Sequence, residues 1–265
     1  MTNPVSPKLL FYIWLSITVL LFSANVISAQ KRNRLAAGAL AAKPRLDNLA
    51  SNKRRTSVPA VVVTEKLAVL RFEPSFTGIP MQRMRVGRSV LIVGERQTPD
   101  GARFYRVSLP PDKSGWVQAE AVASSAKIGD DERLARLIRV ADGFDQLELA
   151  AVFLENFPKS AFRPAILLLT GDLAEEAAQK LSRSAERKIS SDEIQASGAP
   201  VYSFYLNFNE LDRYRKANVN FVFNSTAKEY HYDGATWREL WQKYPAAPEA
   251  AQARKRLDSL AMQTK

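Results

Sequence analysis

The sequence predicts a multidomain α+β protein: a small β-barrel over residues 58–125, then an α-helical domain over 126–265 carrying a β-hairpin near 219–232. Three observations predict it. The chain has 265 residues, about 1.8 times the ~150-residue domain prior, which suits two modest domains better than one large one. From Val58 onward, short β-type runs alternate with Pro/Gly turn signals. Near Asp130 the apolar period switches from two to about 3.6.

Two segments precede the barrel. Leu9–Phe22 is a 14-residue apolar run broken only by Ser16 and Thr18, with Lys8 before it and small residues after it. That order predicts a secretory signal peptide over 1–29, cleaved after Ala29, with Ala24 a poorer site. An uncleaved anchor is the alternative, because the uncharged stretch to Ala29 is long enough to cross a bilayer. Lys31, Arg32 and Arg34 oppose translocation of the chain beyond them and leave open a third, cytoplasm-facing orientation. Either of the first two readings places the body of the protein outside the cytoplasm, in the periplasm or beyond it.

Residues 30–57 hold eight Lys/Arg against Asp47 alone, a large part of the formal net charge of +11. Like charges and the lack of a sustained apolar face predict a disordered linker, with a reach of roughly 30 Å as a flexible coil. It is either a solvated spacer or a polybasic tether for an anionic membrane surface or wall polymer. Residues 126–265 carry twenty basic and twenty acidic groups and are neutral. The basic excess is therefore local, and it does not predict nucleic-acid binding.

The barrel strands are expected at Ala60–Thr64, Leu67–Phe72, Met81–Val86, Ser89–Gly94, Ala102–Leu109 and Trp116–Gln118. Thr98-Pro-Asp-Gly101 and Pro110–Gly115 are the turns between the last three. Short strands in such number suit a small closed sheet, which leaves few exposed edges.

Four motifs in this stretch carry a family resemblance. Ala68-Val-Leu-Arg-Phe-Glu-Pro-Ser75 resembles the LNVRSGPS segment of the bacterial SH3 domain, with Arg71, Pro74 and Ser75 matching. Arg85-Val-Gly-Arg88, with Gly87, lies where that family has its KGD turn. Phe104-Tyr-Arg-Val107 resembles its WYKV strand, and Ser114-Gly-Trp-Val117, with Gly115 and Trp116, its TGWV strand. Val69 and Glu73 depart from the family's Asn and Gly, so the first loop is expected to differ in conformation. The resemblance implies an SH3-like barrel that binds peptidoglycan peptides or envelope proteins. It makes Phe72, Phe76, Tyr105 and Trp116 the candidate groove residues, since rigid aromatics give contact area at small entropic cost. Phe104 and Trp116 are also positions that a tiny barrel buries, which leaves Phe76 and Tyr105 as the better candidates for exposure.

Beyond Asp130, Leu134, Leu137, Ile138 and Ala141 share one helix face, and Leu147, Ala150, Ala151 and Leu154 another. Further helices are expected over Ala161–Leu169, Leu173–Ser184, a short stretch after Ser190, Trp237–Lys243 and Glu249–Met262. Asp172 with Glu175, Ser190 with Glu193 and Thr236 with Glu239 have the spacing of capping boxes. Val219–Asn224 and Lys228–Tyr232 predict the hairpin, with Phe221 and Phe223, and Tyr230 and Tyr232, on the faces that pack. Phe157-Pro158 and Tyr244-Pro245 each end a helix before an Ala-rich one, which resembles a degenerate tetratricopeptide-like repeat and implies a protein-docking surface.

Composition removes most chemistry. There are no cysteines and the only histidine is His231, so thiolate nucleophiles and two-histidine zinc sites cannot be built from one chain. No phosphate-cradling glycine loop or G-x-S-x-G elbow is present. The expectation is a non-enzymatic envelope protein with no catalytic residues, metal or cofactor. Its SH3-like module would bind peptidoglycan or a peptide while the helical half docks a partner. A pure protein-interaction scaffold, with the barrel as spacer, is the alternative; nucleic-acid binding through 30–57 is a third.

Overall fold

The computed structural model describes residues 57–263. The apolar amino-terminal segment with Ala29, and the basic stretch as far as residue 56, lie outside the described residues. From Val58 the chain builds an antiparallel seven-stranded sheet: β1 (Val58–Val62), β2 (Val69–Arg71), β3 (Pro80–Arg83), β4 (Ser89–Gln97), β5 (Arg103–Leu109), β6 (Lys113–Gln118) and β7 (Val122–Ala123). Their order across the sheet is β3-β2-β6-β5-β4-β1-β7. The Thr98–Ala102 turn closes with Thr98 N donating to Ala102 O at 2.8 Å, which sets Arg96 opposite Phe104 and Gln97 opposite Arg103. Period two then sorts the side chains. Leu70, Val90, Ile92, Tyr105, Val107, Leu109 and Val117 face an interior that Met84 completes.

The helices dock on the far side of β1 and β7. Val61, Val63 and Ala123 point away from the sheet interior into a second cluster with Leu134, Ile138, Leu149, Phe153 and Phe157. These come from α1 (Asp130–Val140), from α2 (Gly143–Asn156) and from the turn after it. Polar bonds lash the same seam. Ser124 N donates to Asp130 Oδ2 at 2.8 Å, and Arg133 donates to the carbonyls of Glu120 and Val122 at 3.0 and 2.6 Å. The sheet and the helices therefore share a buried core across the expected boundary at residue 125.

Helix α3 (Arg163–Lys188) is the spine of the second half. It joins the two helices expected at 161–169 and 173–184, and the Asp172–Glu175 pair does not cap it. Asp172 Oδ1 instead accepts from Arg256 Nε at 3.0 Å, and Glu175 Oε2 accepts from Tyr232 N at 2.8 Å. Glu239 likewise caps nothing: it pairs with Arg163 at 2.8 Å, and the helix it sits in starts after Gly234 at φ 77°. Ser190 behaves as its spacing predicts, its Oγ accepting from Glu193 N at 3.4 Å at the start of α4 (Ser191–Ser197).

Two six-residue helices, α5 (Val201–Leu206) and α6 (Leu211–Lys216), occupy a stretch in which the sequence predicts no element. Fewer than two turns leave no period to read. The hairpin is β8 (Phe221–Asn224) and β9 (Glu229–Tyr232). A two-stranded sheet needs support, and α3 supplies it: Ser182 Oγ and Glu175 Oε2 each accept a β9 amide at 2.8 Å. Tyr230 and Tyr232 are buried, and Phe221 and Phe223 are packed against the same cluster. Burial raises both tyrosine phenols above their usual range, so they stay neutral. Helices α7 (Ala235–Lys243) and α8 (Ala250–Gln263) close the core through Trp237, Leu240 and Ala253.

Candidate ligand-binding surface

Two of the exposed aromatics, Phe72 and Phe76, lie in the loop that borders the outer face of the sheet. Register places Phe104 opposite Gln118 and Arg106 opposite Trp116, while Arg71 lies opposite Trp116 from the other side and Arg96 opposite Phe104. Side chains opposite one another in a ladder share a face, so Arg71, Trp116, Arg106, Phe104 and Arg96 all lie on the face turned away from the interior. Trp116 is partly buried there, with the Arg96 guanidinium 5.9 Å from its ring centroid.

The loop between β2 and β3 folds beside this face. Arg71 Nη1 donates to Gly78 O at 2.7 Å, and Phe72 N donates to Ile79 O at 3.2 Å. Within it, Gly78 N reaches Ser75 O at 3.3 Å and Ser75 Oγ accepts from Thr77 N at 3.2 Å. Arg71 and Ser75, singled out by the resemblance, are thus the residues whose side chains hold the loop, and Pro74 sits half-buried within it. The Phe76 ring packs edge-on against Phe104 at 5.3 Å. Phe72, Phe76 and Ile79 remain 62%, 50% and 68% exposed, and Met81 of β3 is exposed beside them. Exposed apolar side chains grouped in this way mark interaction surfaces more often than single ones do.

Tyr105 is a correction. It points into the interior with 5% exposure, and its hydroxyl accepts from Lys127 Nζ at 2.5 Å. Phe104 faces outward yet is buried, because the Phe76 loop covers it. Phe72, Phe76 and Trp116 are therefore left as the candidate surface, and Tyr105 belongs to the sheet interior.

Ile79, Met81, Arg96 and Arg106 belong to the surface and were not singled out from the sequence. The hairpin turn at Thr98–Gly101 carries a signal for Arg96, since counting back from it aligns Arg96 with Phe104. Neither Arg96 nor Arg106 has an acidic partner among the described residues. An aromatic platform beside unpaired guanidinium groups suits a ligand with an apolar part and a carboxylate.

Gly87 and Gly115 serve the scaffold. Gly87, at φ 78°, turns the chain between β3 and β4, with its N–H on Val62 O at 2.9 Å. A Cβ on Gly115 would lie 2.8 Å from Arg71 O, so only glycine lets β6 cross β2 this closely.

His231, in β9, is buried at the wall of a cleft of ≈ 660 Å³, with Nδ1 3.2 Å from Glu175 Oε1. Ser182, on the same cleft wall, donates to Ala178 O at 2.9 Å and accepts from Tyr230 N. That hydroxyl is used structurally and is not bonded to the imidazole, so the pair does not form a nucleophile and its base.

No family model, curated protein or solved structure matches the chain.

Proposed function

We propose that this chain is a non-enzymatic cell-envelope interaction protein, exported by its amino-terminal segment. Its seven-stranded sheet is an SH3-like barrel that binds peptidoglycan or an envelope peptide, and its tetratricopeptide-like helical half docks a protein partner. The observation that carries this is the outer sheet face: Trp116 between Arg71 and Arg106, bordered by a tied loop that leaves Phe72, Phe76 and Ile79 in water. Peptide stems of a wall polymer offer both the aliphatic groups and the carboxylates that such a face suits.

The full-length chain is expected to pellet with purified sacculi. A Phe72→Ser/Ile79→Ser variant should bind at least about tenfold more weakly, because exposed anchors of this kind carry a disproportionate share of binding energy. Both side chains are exposed, so the melting temperature should not fall. No retention of the wild-type chain would sink the wall-binding form of the proposal.

A second reading has its own support. Helix α5 exposes Val201, Tyr202 and Leu206, and Val222 is exposed on the adjoining strand β8, whose Phe223 stacks on Tyr205 at 4.6 Å. On that reading the helical half does the binding and the sheet is a spacer.

A further inference from the structure

A cleft of ≈ 480 Å³ opens between the β3–β4 turn, α2 and the end of α6, within the size range of small-ligand pockets and at a seam between layers where such pockets concentrate. Its construction follows from α2. Glu148 and Glu155 are seven residues apart and share a helix face, with Ala151 between them too short to fill the space. Val152 and Val219 form an apolar floor, and Arg213 and Lys216 of α6 line the cleft with them.

The charges in this cleft are not used on one another. Among the described residues Glu148, Glu155 and Lys216 have no ion-pair partner, and Arg213 lies over the rings of Phe144 and Tyr214 at 5.2 and 4.8 Å. Elsewhere on the helices some charges are paired, Glu132 with Arg136, Glu176 with Lys180, Glu210 with Lys188 and Asp172 with Arg256, while others, such as Asp145 and Glu186, stand in water as Glu155 and Lys216 do. Glu148 is instead half-buried. Burial first, then Asp145 and Glu65, hold its carboxyl above the usual range, with Arg85 opposing them. A cation brought to that carboxylate would relieve the cost of keeping it charged.

We propose that this cleft binds a short peptide with free termini, its ammonium against Glu148 and Glu155, its carboxylate against Lys216 and Arg213, and its small side chains on Val152 and Val219. The site is separate from the outer sheet face and stands whether or not that face binds the wall.

Titration calorimetry on the full-length chain with Ala-Ala-Ala and Ala-Lys-Ala tests it. At least one is expected to bind saturably, and its N-acetylated, amidated form at least about tenfold more weakly, as for loss of charge-assisted hydrogen bonds. Glu148→Gln and Lys216→Met should each weaken the free peptide about tenfold without lowering the melting temperature. Glu148→Gln should in fact melt slightly higher, since it removes a half-buried charge. Absence of saturable binding by both peptides, equal binding of the blocked form, or variants that bind like the wild type would each overturn the proposal. The Phe72→Ser/Ile79→Ser variant should keep full peptide affinity in this cleft, and Glu148→Gln should still pellet with sacculi, so failure at one site is distinguishable from failure at the other.

Discussion

Replacing Gly171 by Ala is expected to destabilise the protein by about 2–4 kcal/mol, the net of two opposed effects. Gly171 lies inside α3, where alanine is intrinsically the better residue by about 1 kcal/mol. Propensity alone therefore predicts a more stable variant. Packing predicts the reverse. The Trp237 indole rests directly on the glycine: a Cβ there would overlap Nε1 and lie 2.6 Å from Cε2. Trp237 is 2% exposed and among the largest fully buried side chains, so it has no free volume to retreat into, and losing its packing costs about 3–5 kcal/mol. Packing wins. Urea denaturation measures the net, and a Trp237→Phe background supplies the control. Phenylalanine removes Nε1, which has no hydrogen-bond partner among the described residues, so Gly171→Ala should cost less there. Equal costs in both backgrounds would mean the indole is not what the methyl group meets.

Gly115→Ala is expected to cost about 3 kcal/mol, at the upper end for overpacking a core, and to weaken ligand binding as well. The added methyl would stand 2.8 Å from the backbone oxygen of Arg71 and 2.9 Å from Leu70 Cγ. Leu70 is fully buried, and a backbone oxygen cannot rotate away as a side chain does, so β2 must shift off β6. That shift moves Arg71, whose guanidinium ties the 72–79 loop through Gly78 O. The loss therefore has two readouts, a lower denaturation midpoint and reduced retention on sacculi. Full retention at reduced stability would show that the loop does not depend on the β2–β6 crossing.

The sheet was legible because its determinants are local. Alternation in Phe104–Leu109 and the Thr98–Gly101 turn fix which side chains share a face. Tyr105 was misplaced for an equally physical reason. Alternation gives two faces for Phe104 and Tyr105 without saying which is inner, and a loop that lays Phe76 over Phe104 buries both. In the helical half the misreadings arise where side chains act at long range. Asp172 has the spacing of a cap, yet it is a partner for Arg256, and Gly171 before it is a seat for Trp237. Glu175 and Glu239 have capping-box spacing, but each is used by a distant segment: β9 for the first and Arg163 for the second. Of the exposed arginines, Arg96 can be placed opposite Phe104 by counting back from the Thr98–Gly101 turn, whereas Arg106 gains meaning only once the β5–β6 register sets it opposite Trp116. The unpaired charges of the α2–α6 cleft were invisible for the same reason, since nothing in the sequence brings Glu148 near Lys216.

Hydrogen–deuterium exchange of the full-length chain, with and without soluble wall fragments, tests the central claim most directly. Binding at the outer sheet face predicts slowed exchange in the Phe72–Ile79 loop and in Lys113–Gln118, with α5 and β8 unchanged. Protection confined to Val201–Leu206 and Phe221–Asn224, or no protection in the Phe72–Ile79 loop at saturating ligand, would contradict it.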